Sequence, residues 1–570
     1  MGKRKTQDIL PEQPMTSEEQ THELASTLWK IADSLRGNID ASQFKDYILG
    51  IIFYRFLSER MVEYLDNRLK NDGTTYLEAA KDHKHNKAIA DILGNSADTV
   101  GFEPSFYGLV KYTAITELGY FIEPEYLFSR LYEKALIRES RQENADKFSV
   151  DNIGTALKNL VNSTEGRPSA PAFSGLFDEV LNFGRISKDV KEQSNKMARV
   201  IIEIGKLSFN MQDAKIDILG TAYMELIGTF ASNSGRKAGE FFTPICASKL
   251  LARLATVGLQ EVKYVCDPAA GSGSLLLQVR EALPLRKVGR FYGQELLAST
   301  YNLFRMNLLL HGVSYEDFTA FNDDTLNNDH FYESLHPNSN DEEERKLKKP
   351  LTFTVQVANP PFSANWTPKA DLGKDSRYKL LGGLPPTQYG EMGFVQHMVH
   401  HMDDDGRIAV LLPHGVTTRG VEYNIRKSLV DKNYIDAIIS LPKNMFHTTT
   451  SAVIVMVLRK NRNGNADNIL FIDASKDFTK GKSKNYLTDE QISKTVQSYI
   501  DRKDIEGYSA MIPLSTIIAH DYNLSVTRYI SKSEEVNINI LEKRKELAEL
   551  NQRIASADTR LQNWFAQLGL

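Results

Sequence analysis

The chain has 570 residues, beyond the size at which a single hydrophobic core usually stops growing, so two or more domains are expected. With 41% hydrophobic and 25% charged residues and a mean hydropathy of -0.36 the composition is globular, and no apolar run of about 18 residues offers a transmembrane helix. A net charge of -4 and a pI near 6.4 exclude a protein that grips DNA by overall basicity, so a nucleic-acid role would need a local basic patch or a second subunit.

Residues 1–22 read as a polar tail without an apolar stretch of signal-peptide length. Residues 23–165 read as a helical domain. Leu24, Leu28 and Ile31 open one apolar stripe, and Phe44, Tyr47, Ile48, Ile51 and Ile52 form a second. Between them, Arg36-Gly37-Asn38-Ile39-Asp40 suits a turn, with Gly37 as a helix C-cap and Asp40 as the next N-cap. Ser163 to Pro171 reads as a linker, and a further helical stretch spans about Val190 to Ala231. The only two cysteines, Cys246 and Cys266, lack metal-ligand neighbours in the sequence. They read as small core residues of a protein in a reducing, cytoplasmic compartment, with no metal site.

From residue 264 onward, short β-branched runs alternate with helical segments. The runs are Tyr264–Cys266, Phe291–Gly293, Phe353–Ala358, Ile408–Leu412, Ile435–Leu441 and Ala452–Leu458. Such alternation predicts an α/β domain over 166–475, built on a mostly parallel, doubly wound sheet. The insertion from Pro337 to Lys349 reads as a solvated loop. Residues 476–570, like all that follows Leu458, read as helical. Near the end Ile540, Leu547, Ile554, Leu561 and Leu568 recur every seven residues, with Leu550, Ala557 and Trp564 three places after members of that series and Lys543 breaking it. That seam fits a helix packed on its own domain as well as a helix that binds a partner.

Four strand ends carry candidate chemistry. Asp267 is followed by Pro268, Ala269, Ala270, Gly271, Ser272, Gly273 and Ser274, a small-residue turn entering a helix, where backbone N–H groups can approach a ligand closely. Taken alone, such a turn serves tight packing as readily as a cofactor. Glu295 ends the next strand, as a surface acid or as an acceptor for both hydroxyls of a ribose. Asp324, where the third strand should end, could take the exocyclic amine of an adenine ring or cap a helix. Asn359-Pro360-Pro361-Phe362 follows the strand Phe353–Ala358: a rigid turn, or an amide and a carbonyl that accept hydrogen bonds from an amine beside an apolar ring. Chance rarely aligns all four on successive strands.

These motifs together resemble the methyltransferases acting on adenine N6, in the order that places the cofactor motif ahead of the catalytic one. Gly239 to Pro244 resembles the segment preceding their first strand. Leu28 to Asp33, Leu35 to Asp40 and Tyr47 to Leu49 further resemble the helical N-terminal domain of methylase subunits of type I restriction–modification systems. The resemblance covers about Leu24 to Leu458, and it implies a Rossmann-like methyltransferase core. It also implies S-adenosylmethionine as cofactor, lined by Glu240, Phe241, Phe242, Thr243, Pro244, Ile245, Asp267, Ala270, Gly271, Ser272, Gly273 and Ser274. Glu295 would hold its ribose and Asp324 its adenine. Asn359, Pro360, Pro361 and Phe362 would form the catalytic pocket for an adenine flipped from double-stranded DNA, with Phe362 where relatives often carry tyrosine. The implied partners are a specificity subunit bound by two methylase copies and a restriction/translocase subunit. A motif of this type also serves methyltransferases of glutamine side chains, against which the large helical N-terminal domain argues.

Overall fold

The computed structural model of the chain describes residues 17–36, 41–93, 101–140, 146–207, 213–233, 243–335, 346–446, 449–462, 464–481, 484–530 and 540–568. The N-terminal part is helical. Helices α1 (Ser17–Arg36) and α2 (Ala41–Leu69) carry the two expected stripes, and residues 47–58 of α2 are all buried. A helix apolar on every side belongs at the centre of a core. Around α2 lie α3 (Phe106–Leu118), α4 (Phe128–Glu139), α5 (Val150–Asn162), α6 (Val190–Gly205) and α7 (Asp213–Asn233). The expected turn at Gly37 and Asp40 lies outside the described residues.

The segment expected to be a linker, 163–171, is instead packed into this helical body. Ser163 Oγ accepts from the Phe121 amide at 2.9 Å and Ser169 Oγ donates to the Gly119 carbonyl at 2.6 Å, while Thr164 and Ser169 are both buried. Ser163, Thr164 and Ser169 saturate backbone groups while Glu165 stays exposed, a division that composition alone does not distinguish.

The second part is built on a nine-stranded sheet. Its strands are β1 (Glu261–Asp267), β2 (Lys287–Glu295), β3 (Phe318–Asn322), β4 (Phe353–Ala358), β5 (Met402–Pro413), β6 (Ile435–Ser440), β7 (Val453–Arg459), β8 (Asn468–Asp473) and β9 (Ser509–Pro513), in the spatial order β9-β8-β6-β7-β5-β4-β1-β2-β3. β7 runs antiparallel between β5 and β6, β9 closes one edge antiparallel to β8, and the remaining pairs are parallel. Side chains alternate between two cores. Ala409 and Leu411 of β5 join the core that also holds α8 (Ile245–Thr256), α9 (Ser274–Ala282), α10 (Ala298–Leu310) and the N-terminal helices. Ile408, Val410 and Leu412 join the core beneath α11 (Glu391–His400) and α12 (Tyr423–Asp431). Helices on both faces make the sheet doubly wound, as expected. The helical part is locked on through α10: the buried Arg305 donates to the carbonyls of Pro171 and Ser174, and Asn302 to that of Gly175.

The C-terminal expectation needs correction. Two strands, β8 and β9, follow Arg459 and extend the main sheet, and a small ribbon pairs Thr479–Lys480 with Asn485–Tyr486. Helix α13 (Asp489–Asp501) then packs beside α8, and only α14 (Ile540–Leu568) is the long helix that the heptads foretell. Along α14, Leu547, Leu550, Ile554, Leu561 and Trp564 are each more than half exposed, so its own domain does not cover the seam. The end of the polar insertion also departs from a loop: Lys348–Pro350 pairs antiparallel with Tyr332–Ser334, while 336–345 lies outside the described residues. Among the described residues no helix is long and apolar enough to cross a membrane.

Candidate active site

The chain steps outward from β1 to β2 and β3, then returns to β4 on the other side of β1. Where strand order reverses this way, the loops diverge and leave a crevice beyond the carboxyl ends of the strands. Asp267 ends β1, Glu295 ends β2, Asp324 lies two residues past β3, and Asn359 directly follows β4. All four line one cavity of about 340 Å³ at that crevice.

On the β1–β2 side, β1 passes into α9 through the glycine turn. Gly271 and Gly273 both have positive φ (55° and 74°), and a Cβ on Gly273 would come within 2.4 Å of the Phe304 ring, so glycine is required there. The turn is fastened from three directions. Thr325 Oγ1 donates to the Pro268 carbonyl at 2.7 Å, Asn307 Nδ2 to the Ser272 carbonyl at 2.9 Å, and the Gly271 amide to Glu295 Oε2 at 3.0 Å. Glu295 also accepts from the Leu297 amide at 3.0 Å, and burial pushes its carboxyl above the usual range. Asp267 is 2% exposed and accepts from the Ala269 amide; burial pushes it up to about 8, with Glu295 adding to the rise. Asp324 takes the Leu326 amide at 3.0 Å and the Asn327 side chain at 2.7 Å. It therefore caps a local turn while still lining the cavity.

On the β4 side, Asn359 Nδ2 donates to Thr243 Oγ1 at 3.0 Å, across 116 residues of sequence. That bond leaves Asn359 Oδ1 buried with no partner among the described residues. Pro360 is buried and no described donor reaches its carbonyl; Pro361 lines the cavity, and Phe362 packs edge-on to Phe446 at 6.2 Å. The cavity thus offers the unclaimed Asn359 Oδ1 on one wall and carboxylates on the other, while Pro360, buried beside Asn359, does not line it. Thr243 sits just ahead of α8. Pro244 accepts the Ala247 and Ser248 amides, and Ile245 opens the helix; neither lines the cavity, nor do Gly273 and Phe362. Glu240, Phe241 and Phe242 lie outside the described residues.

Several lining residues were not anticipated. Leu296 and Leu297 are 62% and 41% exposed at the cavity mouth, an apolar pair next to Glu295 that its placement after an acidic strand end could have flagged. Phe394 comes from α11, far along the chain. Glu391, at the head of α11, accepts the Ser363 amide at 2.6 Å, and nothing local in the sequence signals it. Away from the cavity, Asp329, His400 and His401 bring potential metal-ligand atoms within 4.8 Å of one another, a group the sequence did not suggest. Two of its members are already bonded, His401 to the Leu351 carbonyl at 2.7 Å and to Asp329 at 2.9 Å, with Arg377 bridging to the neighbouring His397 at 3.1 Å, while His400 Nε2 has no hydrogen-bond partner among the described residues. Burial would raise Asp329, but His401, His397 and Arg377 hold it well below the usual range.

Comparison with known proteins agrees with this geometry. Residues 214–537 match the family described as N-6 DNA Methylase, and residues 24–204 the HsdM N-terminal domain. The methylase subunit of the type I restriction enzyme MpnII from Mycoplasma pneumoniae is 34% identical over 535 residues, 92% of each chain. The methylase subunit of MjaVIII from Methanocaldococcus jannaschii is 32% identical over 57% of this chain and 55% of its own. The crystal structure of a type I restriction–modification methyltransferase subunit from Streptococcus thermophilus superposes with a TM-score of 0.73 at 32% identity, over 90% of this chain and 100% of that one. From the helical N-terminal part through the reversed sheet to the asparagine-bearing loop, the chain belongs to the N-6 DNA methylases, in the branch that forms the methylase subunits of type I restriction enzymes.

Proposed function

We propose that the cavity holds S-adenosylmethionine on its β1–β2 side and, against Asn359, an adenine turned out of double-stranded DNA, and that the protein methylates that adenine at N6. The observation that carries this reading is the buried Asn359 Oδ1, left without a partner in a cavity it shares with the glycine turn and Glu295. The residues present fit the cofactor. Glu295 suits the ribose hydroxyls and Asp324 the amine of the cofactor's adenine, with Leu296 and Leu297 as an apolar face for the ring. Gly271, Ser272, Gly273 and Ser274 bring backbone close, and Asp267 with Ala270 floors the site. Thr243 lines the cavity toward the methionine part, a role the resemblance also gives to Glu240, Phe241, Phe242, Pro244 and Ile245.

When bound, S-adenosylmethionine supplies an electrophilic methyl group on a sulfonium. The adenine amine is a poor nucleophile because its lone pair is delocalised into the ring. Asn359 Oδ1 and the Pro360 carbonyl each accept one of its hydrogens, which favours a more tetrahedral nitrogen and frees the lone pair. Held so, the nitrogen lone pair would face the methyl group that the cofactor would supply, and the surplus amine proton would pass to water. Pro361 stiffens the loop, and Phe362, outside the cavity against Phe446, would have to turn toward it to give the extruded base an apolar face.

Sequence choice belongs to a specificity subunit, for which α14 provides an uncovered heptad seam. Two methylase copies per specificity subunit and a restriction/translocase subunit complete the complex, in the bacterial cytoplasm. The α/β part is then its catalytic unit and the terminal helix its assembly unit. The deciding experiment is transfer of tritiated methyl to DNA by the co-expressed complex. Asn359→Ala should retain cofactor binding while the transfer rate drops on the order of 10²-fold or more, the scale of one lost transition-state contact. Turnover close to that of the wild type would exclude Asn359 from catalysis.

A further inference from the structure

Pro360 and Pro361 stiffen the catalytic loop but strip it of two amide donors, so the loop cannot be tied down through them. The amide that is captured is that of Ser363, one residue past Phe362, which donates to Glu391 Oε1 at 2.6 Å. Ser363 has φ 53°, a left-handed conformation that a residue with a Cβ keeps only when its surroundings impose it.

Glu391 is fully buried at the head of α11, and its Oε2 has no hydrogen-bond partner among the described residues. Arg419 stands 3.8 Å from Oε1. It is shared with the equally buried Glu422 at 2.9 Å and lies 3.9 Å above the Tyr389 ring. A carboxylate taken out of water and only partly paired is costly, so it persists where something depends on its position. The backbone it grips, among the described residues, is that of the catalytic loop. The same two segments are laced again by the Gly390 amide to the Ala364 carbonyl at 3.3 Å and by the Trp366 amide to the Thr387 carbonyl at 2.9 Å.

We propose that Glu391 is a positioning residue for methyl transfer: by holding the Ser363 amide it sets the height and tilt of the Asn359 and Pro360 acceptors over the methyl donor. The inference rests on reading the Asn359 pocket as the site of the base. Arg419 keeps the carboxylate aimed, and α11 carries the brace because its far side is sealed into the core under β5.

The test uses the complex assembled with its specificity subunit, single-turnover methyl transfer, and rates expressed per cofactor-binding site counted by titration. Glu391→Leu removes the acceptor and should slow transfer on the order of 10²-fold, the effect of about an ångström of misplacement, with the cofactor Kd within about twofold. Glu391→Gln keeps a neutral acceptor and should recover to within roughly three- to tenfold of wild type, since hydrogen bonds to charged acceptors are about twice as strong. A merely structural role would lower melting temperature and the number of binding sites, yet leave the rate per site alone. A normal rate per site in Glu391→Leu, with Asn359→Ala inactive, overturns the brace and leaves the pocket intact; normal rates in both overturn the pocket itself. Should Glu391→Leu fail to fold, Glu391→Ala, which also removes the acceptor, decides, and parity with wild type in its rate per site refutes the proposal.

Discussion

The pH dependence of cofactor binding should reside in Asp267. This carboxyl ends β1 inside the cavity, 2% exposed, and burial pushes it from 3.8 up to about 8. Without ligand it is mostly protonated near neutrality, and if Asp267 at the floor of the proposed cofactor site faces the cationic amino group of S-adenosylmethionine, pairing requires it to ionise. With only the ionised form competent, affinity should tighten on the order of tenfold as pH rises from about 6.5 toward about 8, while the cofactor's amino group keeps its charge. The folded value lies above the unfolded one, so the empty fold loses stability as pH climbs from about 4 through about 8. A bound cation offsets that loss, and the rise in Tm on adding cofactor should therefore grow with pH. Calorimetry with S-adenosylhomocysteine, which carries the same amino group, measures the profile directly. Asp267→Asn can still accept from the Ala269 amide but cannot ionise, and its profile should be flat. A flat wild-type profile, or the same slope in Asp267→Asn, would refute the reasoning.

Three further outcomes follow from the packing. Gly273→Ala must place a methyl 2.4 Å from the Phe304 ring at a positive φ, and a loss of about 1–3 kcal/mol in stability is expected by denaturant titration, together with weaker cofactor binding. Asp436→Ala leaves Arg462 and Arg502, now 2.8 and 3.1 Å from its carboxylate, without their shared anion; a loss of about 3–5 kcal/mol is expected, and a change below about 1 kcal/mol would show the network to be dispensable. Deleting residues 540–570 should abolish co-purification with the specificity subunit while leaving cofactor affinity unchanged; a complex that survives the deletion removes α14 from assembly.

Strands β1, β2 and β4 to β7 were legible because each holds a short apolar run between turn-forming residues, whereas β3, Phe318–Asn322, is only partly buried and was placed by position alone. β9 escaped because Ser509-Ala510-Met511-Ile512-Pro513 holds a single β-branched residue and gains its identity from pairing with β8. The motif-bearing strand ends were legible for a related reason: an acid or amide closing an apolar run marks the sheet's carboxyl edge. What joins the edge together was not. The bond from Asn359 to Thr243 spans 116 residues, and Glu391 reads in sequence as an ordinary acid in the first turn of a helix. The heptads of α14 were visible from spacing, but whether its own domain covered them was a question only the packing could answer.

The line along which β1 meets β4 has a consequence for how such a subunit can vary. The cofactor side of the cavity hangs from one strand and the asparagine from the other, and the ladder between them registers Val265 with Val355 and Cys266 with Gln356. A slip of a single residue there would turn every side chain of β4 to the opposite face and carry the amide away from the methyl group it serves. Drift in the loops can therefore retune what the subunit docks with, whereas this seam must be inherited unshifted.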